Sequence, residues 1–192
     1  ATFALRGRVK SVMHNSERAH SAGLLCFDER GRLTRIPVFG QVPTDHFNVS
    51  YESVPYGQII GGSWVERDQC GRILGLGLLD LQSGWWWEYE GSQLVSLFYN
   101  SPNGEYVNWH FLNYAERGLP RTIVEVQGSM GEAKRMVRYE YTYEEFDQYG
   151  NWKKARIDWA DMDLDEDIES KLAGDFTPKG SFTETRRIEY YK

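Results

Sequence analysis

One short phrase recurs three times along the chain, as Phe27-Asp28-Glu29-Arg30-Gly31-Arg32-Leu33, Arg67-Asp68-Gln69-Cys70-Gly71-Arg72-Ile73 and Phe146-Asp147-Gln148-Tyr149-Gly150-Asn151-Trp152. Each copy is Asp-x-x-Gly, then Arg or Asn, then a large apolar residue. An Asp at the first position of a type I turn accepts backbone N–H bonds. A Gly at the fourth takes the left-handed conformation that forms a bulge and launches a return strand. Each copy therefore predicts a hairpin tip. Looser tips fall at Tyr89-Glu90-Gly91-Ser92, Asn100-Ser101-Pro102-Asn103-Gly104, Glu116-Arg117-Gly118 and Gln127-Gly128-Ser129-Met130-Gly131. Their spacing is uneven, which excludes a strict solenoid or propeller repeat.

Between the tips, residues alternate in character. Val137, Tyr139, Tyr141 and Tyr143 fall on one parity, and Arg138, Glu140, Thr142 and Glu144 on the other. Period-two alternation is the mark of strands with one covered face and one wet face. Residues 73–79 and 107–114 are apolar on both parities and are read as central strands, Gly75 and Gly77 leaving room for aromatics across the sheet. Residues 37–62, broken by Pro37, Pro43 and Pro55, are read as a long connection with one short strand near Phe47. Leu164, Ile168 and Leu172 make one apolar stripe after an acidic start, so one short helix is expected near residues 163–173. Phe182 to Tyr191 reads as a strand returning to the one that follows Gly150. The expected fold is all-β: a single domain over residues 1–192, an antiparallel meander of hairpins forming a curved sheet, roll or partial barrel. Strands of ~5–6 residues give roughly eight to twelve of them.

Composition excludes several classes of function. The net charge is -6, and the nearest basic groupings, Arg6-Gly7-Arg8 with Lys10 and Lys153-Lys154 with Arg156, read as solvated strand faces. Nucleic-acid binding needs a denser basic face, and no nucleic-acid partner is expected. No apolar run approaches the ~18 residues of a membrane-crossing helix. Cys26 and Cys70 are the only cysteines and are read as unpaired thiols, Cys26 buried and Cys70 exposed in its turn. No Cys/His spacing suggests zinc. The acidic run from Asp161 to Glu169 fails as a calcium loop, with Glu166 at the sixth position and Leu172 at the twelfth. His14, His20, His46 and His110 are scattered, and Gly61-Gly62-Ser63-Trp64 lacks a nucleophile elbow. No catalytic residue, cofactor or metal ligand is assigned.

Arg138-Tyr139-Glu140-Tyr141 followed by Phe146-Asp147-Gln148-Tyr149-Gly150-Asn151-Trp152 resembles the YD repeat of RHS-type cell-surface proteins. Those pair an Arg-Tyr-x-Tyr-Asp strand with a Gly-Arg/Asn-Leu return. The opening Leu5-Arg6-Gly7-Arg8-Val9-Lys10 and the closing Thr185-Arg186-Arg187-Ile188-Glu189-Tyr190 are similar to uncharacterised secreted or lipoprotein-type chains of gut Bacteroidetes with scattered YD-like hairpins. The resemblance implies an extracytoplasmic setting, in the periplasm or at the cell surface, and carries no catalytic residues. The opening Ala1-Thr2-Phe3 fits a mature secreted chain and a cytosolic one equally.

Trp85-Trp86-Trp87-Glu88-Tyr89 is the most unusual stretch. On a strand, Trp86 and Glu88 point away from Trp85, Trp87 and Tyr89, and an exposed aromatic beside a carboxylate can stack on a sugar ring. Sheet cores also use such aromatics as ordinary packing. Trp86, Glu88 and Trp109 are the ligand-binding candidates. The expected function is a non-catalytic binding or envelope-associated protein for a glycan or peptide, the alternative being a glycosidase-like enzyme on the concave face of the sheet.

Overall fold

A computed structural model of the chain describes residues 5–16, 21–27, 29, 33–37, 46–48, 59–60, 63–69, 72–78, 83–115, 118–130, 132–163 and 176–192. Among these residues every regular element is a β-strand. In chain order they are β1 (Val9–Ser16), β2 (Ser21–Phe27), β3 (Leu33–Pro37), β4 (His46–Asn48), β5 (Ile59–Ile60), β6 (Ser63–Arg67) and β7 (Ile73–Leu78). There follow β8 (Ser83–Glu90), β9 (Gln93–Asn100), β10 (Glu105–Tyr114), β11 (Pro120–Ser129), β12 (Glu132–Phe146), β13 (Trp152–Asp163) and β14 (Thr177–Tyr190). Twelve have five residues or more; β4 and β5, in the stretch read as a connection, have three and two. Of the helix expected near residues 163–173, residues 164–173 lie outside the described residues, and Asp163 closes β13.

The strands form one sheet in the order β4-β3-β2-β1-β14-β13-β12-β11-β10-β9-β8-β7-β6-β5. This is a meander in which chain neighbours pair throughout except β4 and β5, which take the two edges, and one added ladder joins the two ends of the sequence. In that ladder β1 runs antiparallel to β14, with Val12 opposite Ile188 and His14 opposite Arg186. β14 also lies beside β13, the return expected for the last hairpin.

The tips show why the meander forms. At Asp147–Asn151 the Asp147 N–H donates to the Asn151 carbonyl at 2.9 Å and the Gly150 N–H to the Asp147 carbonyl at 3.0 Å. The Asp147 carboxylate caps the turn by accepting the N–H groups of Tyr149 and Asn151, both at 2.9 Å. Gly150 has φ of 83°, where a side chain would be strained. The Asp68 tip repeats the frame, its N–H donating to the Arg72 carbonyl at 3.0 Å and its carboxylate accepting the Arg72 N–H at 2.9 Å. Gly31 and Gly71 lie outside the described residues. Two of the looser tips use the same frame: Ser101 N–H to the Glu105 carbonyl at 2.8 Å, and Ala115 N–H to the Leu119 carbonyl at 2.7 Å.

The chain gathers into two compact units, one of residues 52–140 and 159–180, the other of residues 2–51, 141–158 and 181–192. In the first, Val124, Val126, Met136, Ala160 and Phe176 form a buried cluster with Tyr106, Leu112 and Met162 against it. Phe111, Ile123 and Val137, on the other parity of the same strands, are buried as well. Strands β11 and β12 are therefore covered on both faces there, whereas in β10, read from the sequence as a covered central strand, Phe111 is buried and the rest of residues 107–114 is half-buried or exposed.

In the second unit Val9, Val12, Leu25 and Phe27 pack with Leu5, Ile188 and Tyr190. Arg186 is buried with its guanidinium carbon 3.5 Å from the Trp152 ring centroid. Burial lowers its pKa to about 10, against the opposing pull of Glu184, Tyr143 and Tyr141. Asn151 ties the start of the chain to this unit. Its side-chain oxygen accepts the Arg6 N–H at 2.6 Å, and its amide donates to the Arg6 carbonyl and to the Tyr190 hydroxyl, both at 2.8 Å.

Candidate functional site

Cross-strand partners in a sheet point to the same face, so the register places each candidate side chain. Trp86 of β8 is opposite Phe98 of β9, which is opposite Asn108 of β10. Glu88 is opposite Ser96, which is opposite His110. Trp86, Glu88, Ser96, Phe98, Asn108 and His110 therefore share one face of the first unit. Tyr106, two residues before Asn108, extends it.

Trp109 is not on that face. Its row runs Trp87, Leu97, Trp109, Glu125 and Val137, on the reverse side of the same strands. Its indole N–H donates to Glu125 at 2.8 Å, and Gln127 donates to the same carboxylate. Trp85 and Tyr99, also on the reverse side, meet at a tilt with ring centroids 4.9 Å apart, and Trp85 is buried. The structure thus brings Trp86 and Glu88 together, as their spacing implies, and puts Trp109 with the packing aromatics.

The Trp86 face combines rings with hydrogen-bonding groups. Trp86 is 36% exposed, one of the few large apolar side chains left in solvent among the described residues. Its ring lies 5.7 Å from Phe98, and Phe98 lies 5.9 Å from Tyr106. A β-carbon at Gly84 would stand 3.0 Å from Trp86 Cη2, so this glycine lets the indole lie back along β8. Gly75 and Gly77 of β7 pair with Trp86 and Gly84, the clearance expected from the interleaved glycines. Ser96 Oγ donates to Asn108 Oδ1 at 2.9 Å. A serine hydroxyl keeps acceptor capacity and an asparagine amide keeps donors, so the pair can still meet a sugar hydroxyl. Burial pushes the His110 imidazole below its usual pKa, with Glu88 pulling the other way. At neutral pH it is an uncharged donor and acceptor. The sequence reading missed Ser96, Phe98, Asn108 and His110, whose only signal is pairing register.

A second feature is a groove of about 520 Å³ in the other unit, lined by Met13, Cys26 and Tyr191 with Lys10, Arg187 and Glu189. Cys26 is a free thiol, half-buried rather than buried; Cys70 lies outside the described residues. In the groove Glu189 accepts from Ser11 at 3.2 Å and meets Arg187 at 3.5 Å. Lys154 pairs with Glu144 at 3.0 Å and Arg156 with Asp158 at 3.3 Å, so one basic grouping is balanced in the same way. Asp161, the first residue of the acidic run, is held by Lys179 at 3.0 Å and Arg135 at 3.2 Å. No helix among the described residues is long and apolar enough to cross a membrane.

Fold and site together define an antiparallel β-meander that displays an aromatic-polar strand face. Comparison with protein-family models, curated proteins and solved structures gives no match to this chain.

Proposed function

We propose that this chain is a non-catalytic glycan-binding protein of the cell envelope or extracellular space, and that it binds through the Trp86 face. The observation that carries this reading is an exposed Trp86 sharing one face of β8, β9 and β10 with Phe98, Ser96, Asn108, His110 and Glu88. A pyranose ring has an apolar C–H face that stacks on an indole and a rim of hydroxyls that needs donors and acceptors close by. A site of a few convergent polar groups beside aromatic surface meets both needs. The likeness of Arg138–Trp152 to YD-type hairpins supports the extracytoplasmic setting.

The test is a glycan-array screen followed by titration calorimetry on the wild-type chain, Trp86→Ala and Trp109→Phe. Trp86→Ala is expected to weaken binding by roughly tenfold or more, about 1.4 kcal/mol. Trp109→Phe, on the opposite face, is expected to leave it within about twofold. Absence of any glycan ligand, or equal affinity after Trp86→Ala, would refute the reading. Release of reducing ends from a bound oligosaccharide would replace it with the glycosidase-like alternative.

A further inference from the structure

The charge around Trp86 narrows the kind of glycan. Gly75 of β7 is the cross-strand partner of Glu66 on β6 and of Trp86 on β8. All three therefore point to one face, and the middle one has no side chain. A glycine in that position leaves the residues on its two sides to approach one another where a β-carbon and its substituents would otherwise stand. Glu88 follows Trp86 by two residues along β8 and lies on the same face. Both Glu66 and Glu88 are exposed. Trp86 is thus flanked by one carboxylate across the sheet and one along its own strand.

The cross-strand rows around it are Glu66, Gly75, Trp86, Phe98 and Asn108, and Glu88, Ser96 and His110. The second row continues through Val124 to Arg138 on β12, four strands from Glu88, where Arg138 meets Glu140 at 3.5 Å; those residues of β6 to β10 include no Lys or Arg. An electron-rich indole face attracts a cation, and Trp does so better than Tyr or Phe. Two carboxylates on the same face add to that preference, and to a neutral sugar they offer hydrogen-bond acceptors but no charge pairing. Charge complementarity therefore selects among occupants of the face, and the aromatic row with its Ser96–Asn108 pair favours a ring-shaped ligand over an extended peptide.

We infer that the Trp86 face is selective for a glycan carrying free amines, with a hexose stacked on the indole and its ammonium between Glu66 and Glu88. This rests on the glycan reading of the same face. Calorimetric titration of the whole chain with a glucosamine hexamer and an N-acetylglucosamine hexamer, at a pH where the amines are protonated, tests it. The glucosamine hexamer is expected to bind roughly tenfold tighter, an advantage that shrinks as salt is added. In the double variant Glu66→Gln with Glu88→Gln, the two hexamers are expected to bind within about twofold of one another. Equal binding of both hexamers by wild type, lost in Trp86→Ala, would overturn amine selectivity and leave the glycan reading standing. An oligolysine of matched charge competing as well as the glucosamine hexamer, or an advantage that survives Trp86→Ala, would also overturn it. Binding of neither hexamer alongside binding of a neutral glycan on the array would overturn the selectivity alone, and no binding to any glycan would overturn both.

Discussion

Replacing Asn151 tests how the start of the chain is held. The residue is 3% exposed and its amide behaves like a piece of strand towards Arg6, accepting from its N–H at 2.6 Å and donating to its carbonyl at 2.8 Å. The amide also donates to Tyr190 at 2.8 Å and, more weakly, to Asp147 at 3.4 Å. Asn151→Ala strips both backbone groups of Arg6 of these partners. A buried unsatisfied polar group costs about 1–3 kcal/mol; Arg6 is itself exposed and its bonds to Asn151 part-buried, which argues for the lower half of that range, so the variant should lose roughly 2–4 kcal/mol. Asn151→Asp is nearly isosteric and keeps the acceptor for the Arg6 N–H. It exchanges the donor for a second oxygen facing the Arg6 carbonyl and the Asp147 carboxylate. Burial pulls the Asp147 carboxyl upward, but hydrogen bonds from Tyr190, from the Asn151 and Tyr149 N–H groups and from the Asn151 amide outweigh it and hold it below the usual carboxylate range. The Asp variant therefore sets one carboxylate against another already kept ionised, and at neutral pH it should cost more than the Ala variant. Lowering the pH to about 4 allows the new carboxyl to take up a proton and donate again, so its deficit against wild type should narrow. Urea unfolding followed by tryptophan emission, with amide exchange at Arg6, measures both effects. A loss under about 0.5 kcal/mol for Asn151→Ala, or an Asp deficit that does not narrow on acidification, would refute the strand-like role.

Three further outcomes follow from particular geometry. Burial, and then the hydrogen bond it donates to Asp147, raises the Tyr190 hydroxyl to about 12. A raised phenol supports the fold fully below the unfolded value near 10 and loses that support as pH rises through its folded value. Alkaline unfolding between about pH 10 and 12 should therefore be blunted in Tyr190→Phe, and identical alkaline profiles would exclude the linkage. A β-carbon at Gly128 would press into the Glu132 carbonyl oxygen and the Tyr106 ring, so Gly128→Ala should cost about 3 kcal/mol and displace Tyr106; near-neutral thermal stability would contradict this packing. Met130 holds φ of 52° while 86% exposed, so Met130→Asn, which tolerates that conformation, should raise the urea midpoint by an equivalent of about 1 kcal/mol. An unchanged midpoint would show that the hairpin relaxes around the methionine.

The hairpin tips were legible because their chemistry is local. The aspartate used to mark them was nevertheless the less general half of the signal. Ser101 supplies its own oxygen, accepting the Glu105 N–H at 3.1 Å, and Ala115 supplies no side-chain acceptor at all. Both tips still close, because Gly104 and Gly118 take the turn's positive φ, at 76° and 70°. The pairing of β1 with β14 could not be read in this way. Alternation in residues 9–16 and 177–190 says that each is a strand with a covered face, but two such strands at opposite ends of the sequence share no turn that would fix their partnership or register.

The site was half legible for a related reason, and the difference turns on one residue. From the tip at Gly104 the register of β9 against β10 runs back without interruption, Asn100 opposite Tyr106 and Phe98 opposite Asn108. Counting from the Gly91-Ser92 tip in the same way pairs Glu90 with Gln93 and Tyr89 with Leu94, and would set Glu88 opposite Val95 and Trp86 opposite Leu97. A shift between Glu88 and Tyr89 instead puts Glu88 opposite Ser96 and Trp86 opposite Phe98. Since successive side chains alternate between faces, a slip of one residue exchanges the two sides of a strand relative to its neighbour. In the unshifted register Trp86 would share a face with Leu97 and Trp109, joining two of the three binding candidates in one apolar row. With the bulge, Trp86 leaves that row for the side that holds the Ser96–Asn108 pair, His110 and, across Gly75, Glu66. The extra residue of β9 at this shift, Val95, thus decides whether the middle tryptophan of the run is packing material or a ring displayed among polar groups, and no composition or periodicity of β8 itself encodes it.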